Sequence, residues 1–348
     1  LNIWVGRNAI FYERQLGELE QVMQLPRNHR VTAARWDGRY AWIADPYEGV
    51  HLLDAAGDLV ATFNKETGLP VGTWTILVQP LGQGRAIAAG TNSRDQRSWI
   101  TELWLDEQGR PCVKLIHAAI KKSGWENRRE QKSDPEATCR YAWLWLWDRG
   151  KAGRYLIVGR ESAYLPLAVD LDTHKVTTVG PPPMSRGVVN PFWGWDQRWY
   201  SFHAVTGAND EPTNLFLAAG TYGVALYEAG DQTVGPSMTF KKIDQWSSRD
   251  SLDMGNVEDG RLIPQPDGSV IFAGSGGGGW GRIRIDLADS ERRFTGQSLF
   301  PARLRGFSSS SVAPATGHGN VIWNMTGRYE MKVMRVKLPA PTDKTHGP

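Results

Sequence analysis

A short apolar, β-prone run ending in small residues, then a turn, then a second β-prone run, recurs along this 348-residue chain. That repetition limits the possible folds more than any other feature of the sequence. Clear copies are Ala41-Trp42-Ile43-Ala44-Asp45 with Gly49-Val50-His51-Leu52-Leu53, and Ala86-Ile87-Ala88-Ala89-Gly90-Thr91 with Trp99-Ile100-Thr101-Glu102-Leu103-Trp104. Another is Val270-Ile271-Phe272-Ala273-Gly274 with Arg282-Ile283-Arg284-Ile285. Further copies start at Ile3, Tyr155 and Leu215, and a weaker one at Val321. The steps between Gly6, Asp45, Gly90, Gly159, Gly220, Gly274 and Met325 are roughly 40 to 70 residues, which is one four-stranded unit of about 40–50 residues plus loop insertions in the longer steps.

A four-stranded sheet cannot cover both of its faces alone, so repeated sheets must stack on one another. The pattern predicts an all-β protein, a β-propeller of seven blades with four antiparallel strands each; six to eight blades fit the strand count. The 16 Trp and 38 Gly fit this: large rings fill the layers between sheets, and small residues suit crowded strand ends. The first blade is expected to lack its innermost strand and the last its outermost. The best helical stretch, Leu115 to Arg129, lies inside an insertion. The alternatives are a β-sandwich or two smaller β domains, but no shift in composition divides the chain. One domain is expected over residues 1–338, and the polar, proline-containing residues 339–348 read as a tail or linker.

Forty basic against 37 acidic side chains leave a net charge of +3, too even a balance to point to nucleic acid. No stretch approaches the ~18 apolar residues of a membrane span, so no membrane insertion is expected. Cys112 and Cys139 flank an insertion of mixed charge, Lys121–Arg140; they are expected on distant strands, too far apart for a disulfide. The seven histidines form no His-x-His or His-x-x-x-His pair, so neither a metal site nor a cofactor is expected. No Gly-x-Ser-x-Gly elbow or phosphate-binding loop occurs, and catalytic residues are not identifiable.

Two aromatic segments carry the functional expectation. Tyr141, Trp143, Trp145 and Trp147 alternate along one strand, next to Asp148. Phe192, Trp193, Trp195, Trp199 and Tyr200 form the second group, interleaved with Asp196, Gln197 and Arg198. Flat rings beside fixed charges suit stacking on sugar rings or other planar groups. The bland reading of both is inter-blade packing. The expected ligand-binding set at one funnel face is Trp147, Asp148, Trp193, Trp195, Asp196, Arg198 and His203, with Trp280 of the glycine-rich loop Ser275–Gly281 at the rim. The expected partner is a small molecule, a glycan or a protein. The competing function classes are a carbohydrate-active hydrolase or lyase with an axial His, Asp or Glu, and a non-catalytic interaction scaffold.

Residues 26–95 also carry a family pattern. Gly68-Leu69-Pro70 precedes the strand Trp74-Thr75-Ile76-Leu77-Val78, followed by Gly84-Arg85-Ala86-Ile87-Ala88-Ala89-Gly90-Thr91. One repeat earlier, Leu25-Pro26 leads to Val31-Thr32-Ala33-Ala34 and then Asp37-Gly38-Arg39-Tyr40-Ala41-Trp42-Ile43. Over these two blades the chain resembles the regulator-propeller repeats in the periplasmic sensor regions of two-component systems. The resemblance implies propeller blades, a sensing role and a periplasmic or extracellular setting. It specifies blade geometry and not a ligand.

Overall fold

The computed structural model describes the chain apart from residues 1, 6–7, 16–17, 72–74, 93–96, 121–133, 135, 137–140, 161–164, 180–198, 208–210, 221–222, 235–236, 248–256, 266, 277–278, 290, 292, 302–306, 315–319, 328–330 and 338–348. Beyond residue 296 the strands are described by their backbone alone.

The strands fall into seven successive antiparallel meanders, the blades of a β-propeller. Blade 1 has three strands, β1 (Asn2–Val5), β2 (Ala9–Glu13) and β3 (Leu19–Gln24). Blade 2 contains β4 (Ala33–Trp36), β5 (Ala41–Asp45), β6 (Gly49–Leu53) and β7 (Leu59–Phe63). Blade 3 contains β8 (Thr75–Gly82), β9 (Arg85–Asn92), β10 (Arg97–Leu105) and β11 (Pro111–Ile120). In blade 4 these are β12 (Tyr141–Asp148), β13 (Arg154–Arg160), β14 (Leu167–Asp170) and β15 (Val176–Val179). Blade 5 has β16 (Trp199–Thr206), β17 (Pro212–Gly220), β18 (Gly223–Val234) and β19 (Ser237–Ser247). Blade 6 has β20 (Val257–Pro264), β21 (Val270–Gly276), β22 (Gly279–Ile285) and β23 (Phe294–Pro301). Blade 7 again has three, β24 (Phe307–Pro314), β25 (Asn320–Gly327) and β26 (Met331–Lys337).

The chain divides into two compact units. Unit 1 is Leu1–Trp147, Gly153–Val188 and Gln232–Thr239; unit 2 is Asp148–Ala152, Val189–Asp231 and Phe240–Pro348. Within unit 1, Ser237 and Met238 pair in parallel with Thr178 and Val179 of β15.

Aspartates at strand ends make the turns that repeat the blades. Asp37 accepts the N–H groups of Arg39 at 2.8 Å and Tyr40 at 2.6 Å, and its second oxygen accepts Trp42 Nε1 at 2.9 Å. Asp54, Asp106, Asp170 and Asp286 each accept two backbone N–H groups in the same way. A short acceptor satisfies amides that the turn frees from the ladder, which is why Asp recurs where a strand must reverse.

Between the turns, apolar side chains of one blade face those of the next. In unit 1, Ile10 and Tyr12 of blade 1 pack with Ala41, Ile43 and Leu53 of blade 2. Trp42, Val50, Leu52 and Phe63 of blade 2 pack with Ile76, Val78, Trp99 and Leu103 of blade 3. Ile87 and Ile100 of blade 3 pack with Tyr141, Leu144, Leu156 and Leu167 of blade 4. In unit 2, Val205, Leu217 and Leu226 pack with Phe272, Ile283 and Ile285. Each fully buried large side chain contributes about 1.5–3 kcal/mol, so these layers hold the blades together. The small residues ending the strands have a packing cause: a Cβ at Gly90 would collide with the Trp99 ring, and one at Gly159 with the Trp143 ring.

One local expectation fails. Leu115–Ile120 does not start a helix; it belongs to β11, paired with β10 from Arg97↔Ile120 to Leu105↔Pro111. The ladder, with a bulge between Ile100 and Thr101, outweighs the weak helical spacing of Ile116, Ala119 and Ile120. Residues 121–129 lie outside the described residues.

Candidate functional site

Among the described residues, a group of ligating side chains lies at one end of blade 2, in unit 1. Strand β5 ends at Asp45 and β6 begins at Gly49, with Asp45 paired to Gly49 and Ile43 to His51. Gly49 has φ +127°, and a Cβ there would overlap the carbonyl of Phe63. Only glycine lets the chain turn so tightly against β7, and this turn brings residues 45, 48 and 51 together.

The Asp45 carboxylate is fully buried. One of its oxygens accepts the Tyr47 N–H at 2.9 Å, and the other lies 2.8 Å from His29 Nδ1. His29 comes from the segment before β4, where its own N–H donates to Pro26 O at 2.9 Å. Its ring stacks on half-exposed Tyr47 with centroids 5.0 Å apart and planes 18° from parallel. The half-exposed Glu48 carboxylate bridges the two histidines, 3.9 Å from His29 Nδ1 and 3.7 Å from His51 Nε2. The ligating atoms of His29, Asp45 and Glu48 all lie within 4.8 Å of one another.

His51 is 3% exposed and its Nδ1 lies 3.1 Å from Thr62 Oγ1. Its Nε2 is buried and makes no hydrogen bond. Burial pushes the His51 pKa below the usual histidine range; the charges of Asp45 and Glu48 pull it up and His29 pushes it down. Desolvation disfavours the imidazolium form. Thr62 Oγ1 can accept from Nδ1–H, which leaves the lone pair on Nε2 facing Glu48. His29, Asp45 and Glu48 form a set that could hold a metal ion, with His51 beside Glu48. Among the described residues, no Lys or Arg pairs with these carboxylates.

A second polar cluster in unit 1 has a different character. Glu102 of β10, with its side chain 8% exposed, accepts from Arg85 of β9, with Nε at 3.0 Å and Nη2 on the same oxygen. His174 Nε2 lies 3.5 Å from its other oxygen. A guanidinium already neutralises this carboxylate, so the group reads as a structural ion pair.

Among the described residues, the exposed large apolar side chains lie in unit 1. Leu19 lies on β3, Leu59 and Val60 on β7, and Leu115 on β11. Each of these strands is the last of its sheet and so a free edge, and β7 and β11 approach one another.

The residues singled out from the sequence fall in several environments. Trp193, Trp195, Asp196 and Arg198 lie outside the described residues. Trp147 is fully buried beside Tyr155, with centroids 6.4 Å apart; Tyr141 and Trp143 of the same strand are also buried. Asp148 is exposed and accepts the Gly150 N–H at 2.8 Å, at the start of a short 3-10 turn. His203 of β16 is 4% exposed and lies edge-on to Phe272 at 5.2 Å. Trp280 belongs to β22 and pairs with Ser275, so most of the glycine-rich run is hairpin strand, with Gly277 and Gly278 outside the described residues. Cys112 is a free thiol on β11, and Cys139 lies outside the described residues.

The blade 2 cluster escapes a search for paired histidines because carboxylates supply half of it. The spacing Asp45-x-x-Glu48-x-x-His51 is visible in the sequence, but the approach of His29 is not. Among the described residues, no helix is long and apolar enough to cross a membrane.

No protein-family model matches the sequence, and no curated protein matches it. Solved structures do share the fold. Sqt1 of Saccharomyces cerevisiae aligns with a TM-score of 0.51 at 11% identity, covering 95% of this chain and 90% of that one. The allergen Mala s 1 of Malassezia sympodialis aligns at 0.48 and 11% identity, over 85% of this chain and 86% of its own. The Dos1 propeller aligns at 0.46 and 10% identity, over 93% of this chain and 80% of its own. At such identities the likeness concerns the fold alone.

Proposed function

We propose that this β-propeller is a protein-binding module that receives its partner along the free edges of blades 2 and 3. The observation carrying this reading is the placement of Leu59, Val60 and Leu115, each at least 40% exposed, on the neighbouring edge strands β7 and β11. A free edge offers unpaired backbone groups, and soluble proteins usually guard it with charge or proline. Here it carries apolar side chains instead, the combination that an extended apolar segment of a partner protein would cover by strand addition. The resemblance of residues 26–95 to regulator-propeller repeats supports a sensing role for the same module.

The test is affinity capture of the full chain from cells that produce it, comparing wild type with the double variant Leu59→Lys/Leu115→Lys, each checked for unchanged thermal stability. A partner held by wild type and lost from the double variant, but kept by Asp148→Asn, supports the reading. Equal capture by both, or a wild-type chain that retains no partner, overturns it.

A further inference from the structure

We propose that His29, Asp45, Glu48 and His51 form a binding site for a divalent transition-metal ion of the Zn2+ type, joining the β5–β6 turn of blade 2 to the segment that leads into the blade. Three independent features point to a metal ligand set.

The first is spacing. Two ligands about 2.0–2.1 Å from a tetrahedral ion are about 3.3 Å apart. Within the group His29, Asp45 and Glu48 the separations bracket that value, at 2.8 Å for His29–Asp45 and 3.9 Å for His29–Glu48; His51 stands outside this group and approaches Glu48 at 3.7 Å. Glu48 is half-exposed, so its carboxylate is free to move between His29 and His51 as the site closes.

The second is the state of His51. Its ring is 3% exposed, yet Nε2 is buried without a hydrogen bond and faces the Glu48 carboxylate. A buried polar atom left unsatisfied costs about 1–3 kcal/mol, and a metal ion would convert that orphan lone pair into a ligand. The Nδ1 contact with Thr62 Oγ1 at 3.1 Å is the outer-shell support that fixes the tautomer of metal-bound histidines. Tyr47 similarly fixes Asp45 through its N–H and backs the His29 ring by stacking.

The third is charge. Two carboxylates at one blade end, one of them fully buried, have no Lys or Arg ion-pair partner among the described residues. A dication neutralises both. The mixed imidazole–carboxylate set favours a borderline transition ion over Ca2+ or Mg2+, which prefer oxygen-only shells. His29, Asp45 and Glu48 lie within reach of one ion, and His51, in contact with Glu48 alone, supplies the fourth ligand by closing toward it, which makes the ion structural or regulatory.

The test uses the full chain, stripped with chelator and titrated with Zn2+ by calorimetry, and with Co2+ by visible absorption. One equivalent of Zn2+ should bind, and Co2+ should give the intense bands of a four-coordinate ion. Glu48→Gln, at an exposed position where folding is unaffected, should weaken Zn2+ at least about tenfold, in line with loss of one ligand. His51→Gln should do the same and abolish the Co2+ bands; its circular dichroism spectrum reports whether it is folded. Ca2+ and Mg2+ should not compete at millimolar concentration. Unchanged Zn2+ affinity in Glu48→Gln, a six-coordinate Co2+ spectrum, or no stoichiometric Zn2+ binding by the wild type overturns the proposal. The readout is independent of partner capture, so either proposal can fail alone.

Discussion

Two buried carboxylates in the same unit show how neighbours decide what a charge is for. Glu102 and Asp45 both sit at strand positions with almost no exposure, and both approach a histidine. Glu102 has the Arg85 guanidinium on one oxygen, a permanent cation, and needs nothing further. Asp45 has only a backbone N–H and an imidazole, with a second acid and a second imidazole close by. The first group is complete as it stands. The second gains most from a ligand it can still accept. A buried charge by itself is therefore no sign of function; the difference lies in whether its partners already neutralise it.

The sharpest way to break this comparison is to remove one charged member of each cluster. Arg85→Met leaves Glu102 with His174 alone. A buried pair broken on one side costs about 3–5 kcal/mol, but the Arg85 side chain is 52% exposed, so screening reduces the expected loss to about 1–2 kcal/mol. Glu48→Gln in the metal-free chain, at a half-exposed position, should cost less than about 0.5 kcal/mol. Urea unfolding of both variants measures this. If Glu48→Gln proves as costly as Arg85→Met, the blade 2 group is a finished ion-pair network and the contrast collapses.

The next effect is in pH. Unfolded His51 takes up its proton near pH 6.5. Burial lowers the folded value, so below that pH the unfolded state binds more protons and stability falls with acidification. The slope from this one group reaches at most about 1.4 kcal/mol per pH unit, and vanishes above pH 6.5. Stability curves of the metal-free chain between pH 7.5 and 5 should be steeper for wild type than for His51→Gln. Parallel curves would mean that His51 is solvated or already charged, removing its orphan lone pair from the argument.

How much of this the sequence revealed differs between the layers and the site. The blades were readable because their signal is local and repeated: Trp42, Val50, Trp99 and Phe272 lie in short β-prone runs bounded by small or turn residues, and Asp54, Asp106 and Asp170 mark the reversals that follow. The β11 strand was misread because Ile116, Ala119 and Ile120 share a helical spacing, while the ladder with β10 that decides the matter is a pairing across a turn. Trp147 shows the limit for aromatics: an alternating stripe looks the same in sequence whether its rings stack on a ligand or, as here, fill the core. The blade 2 site was hidden for a similar reason. Asp45, Glu48 and His51 recur at every third position, but His29 reaches Asp45 from the segment before β4, which pairs with β5, and no spacing rule covers that approach.

The smallest expected effect tests what organises the blade 2 site. Tyr47 touches it twice, through a backbone N–H to the buried Asp45 oxygen and through a ring lying flat on His29. Tyr47→Ala removes only the second contact. The ring is 50% exposed, so the lost stacking and burial should amount to about 0.5 kcal/mol, at the lower end for an aromatic pair. The Tyr47 amide stays in place, Asp45 keeps its acceptor geometry, and the approach of His29 is still set by its N–H to Pro26 O. Thermal unfolding should therefore shift by only a degree or two, and Zn2+ affinity by less than in Glu48→Gln. A loss above about 1.5 kcal/mol, larger than an aromatic pair accounts for, would reverse the assignment. The exposed ring, and not the buried carboxylate, would then hold His29, and blade 2 would be organised from its surface inward.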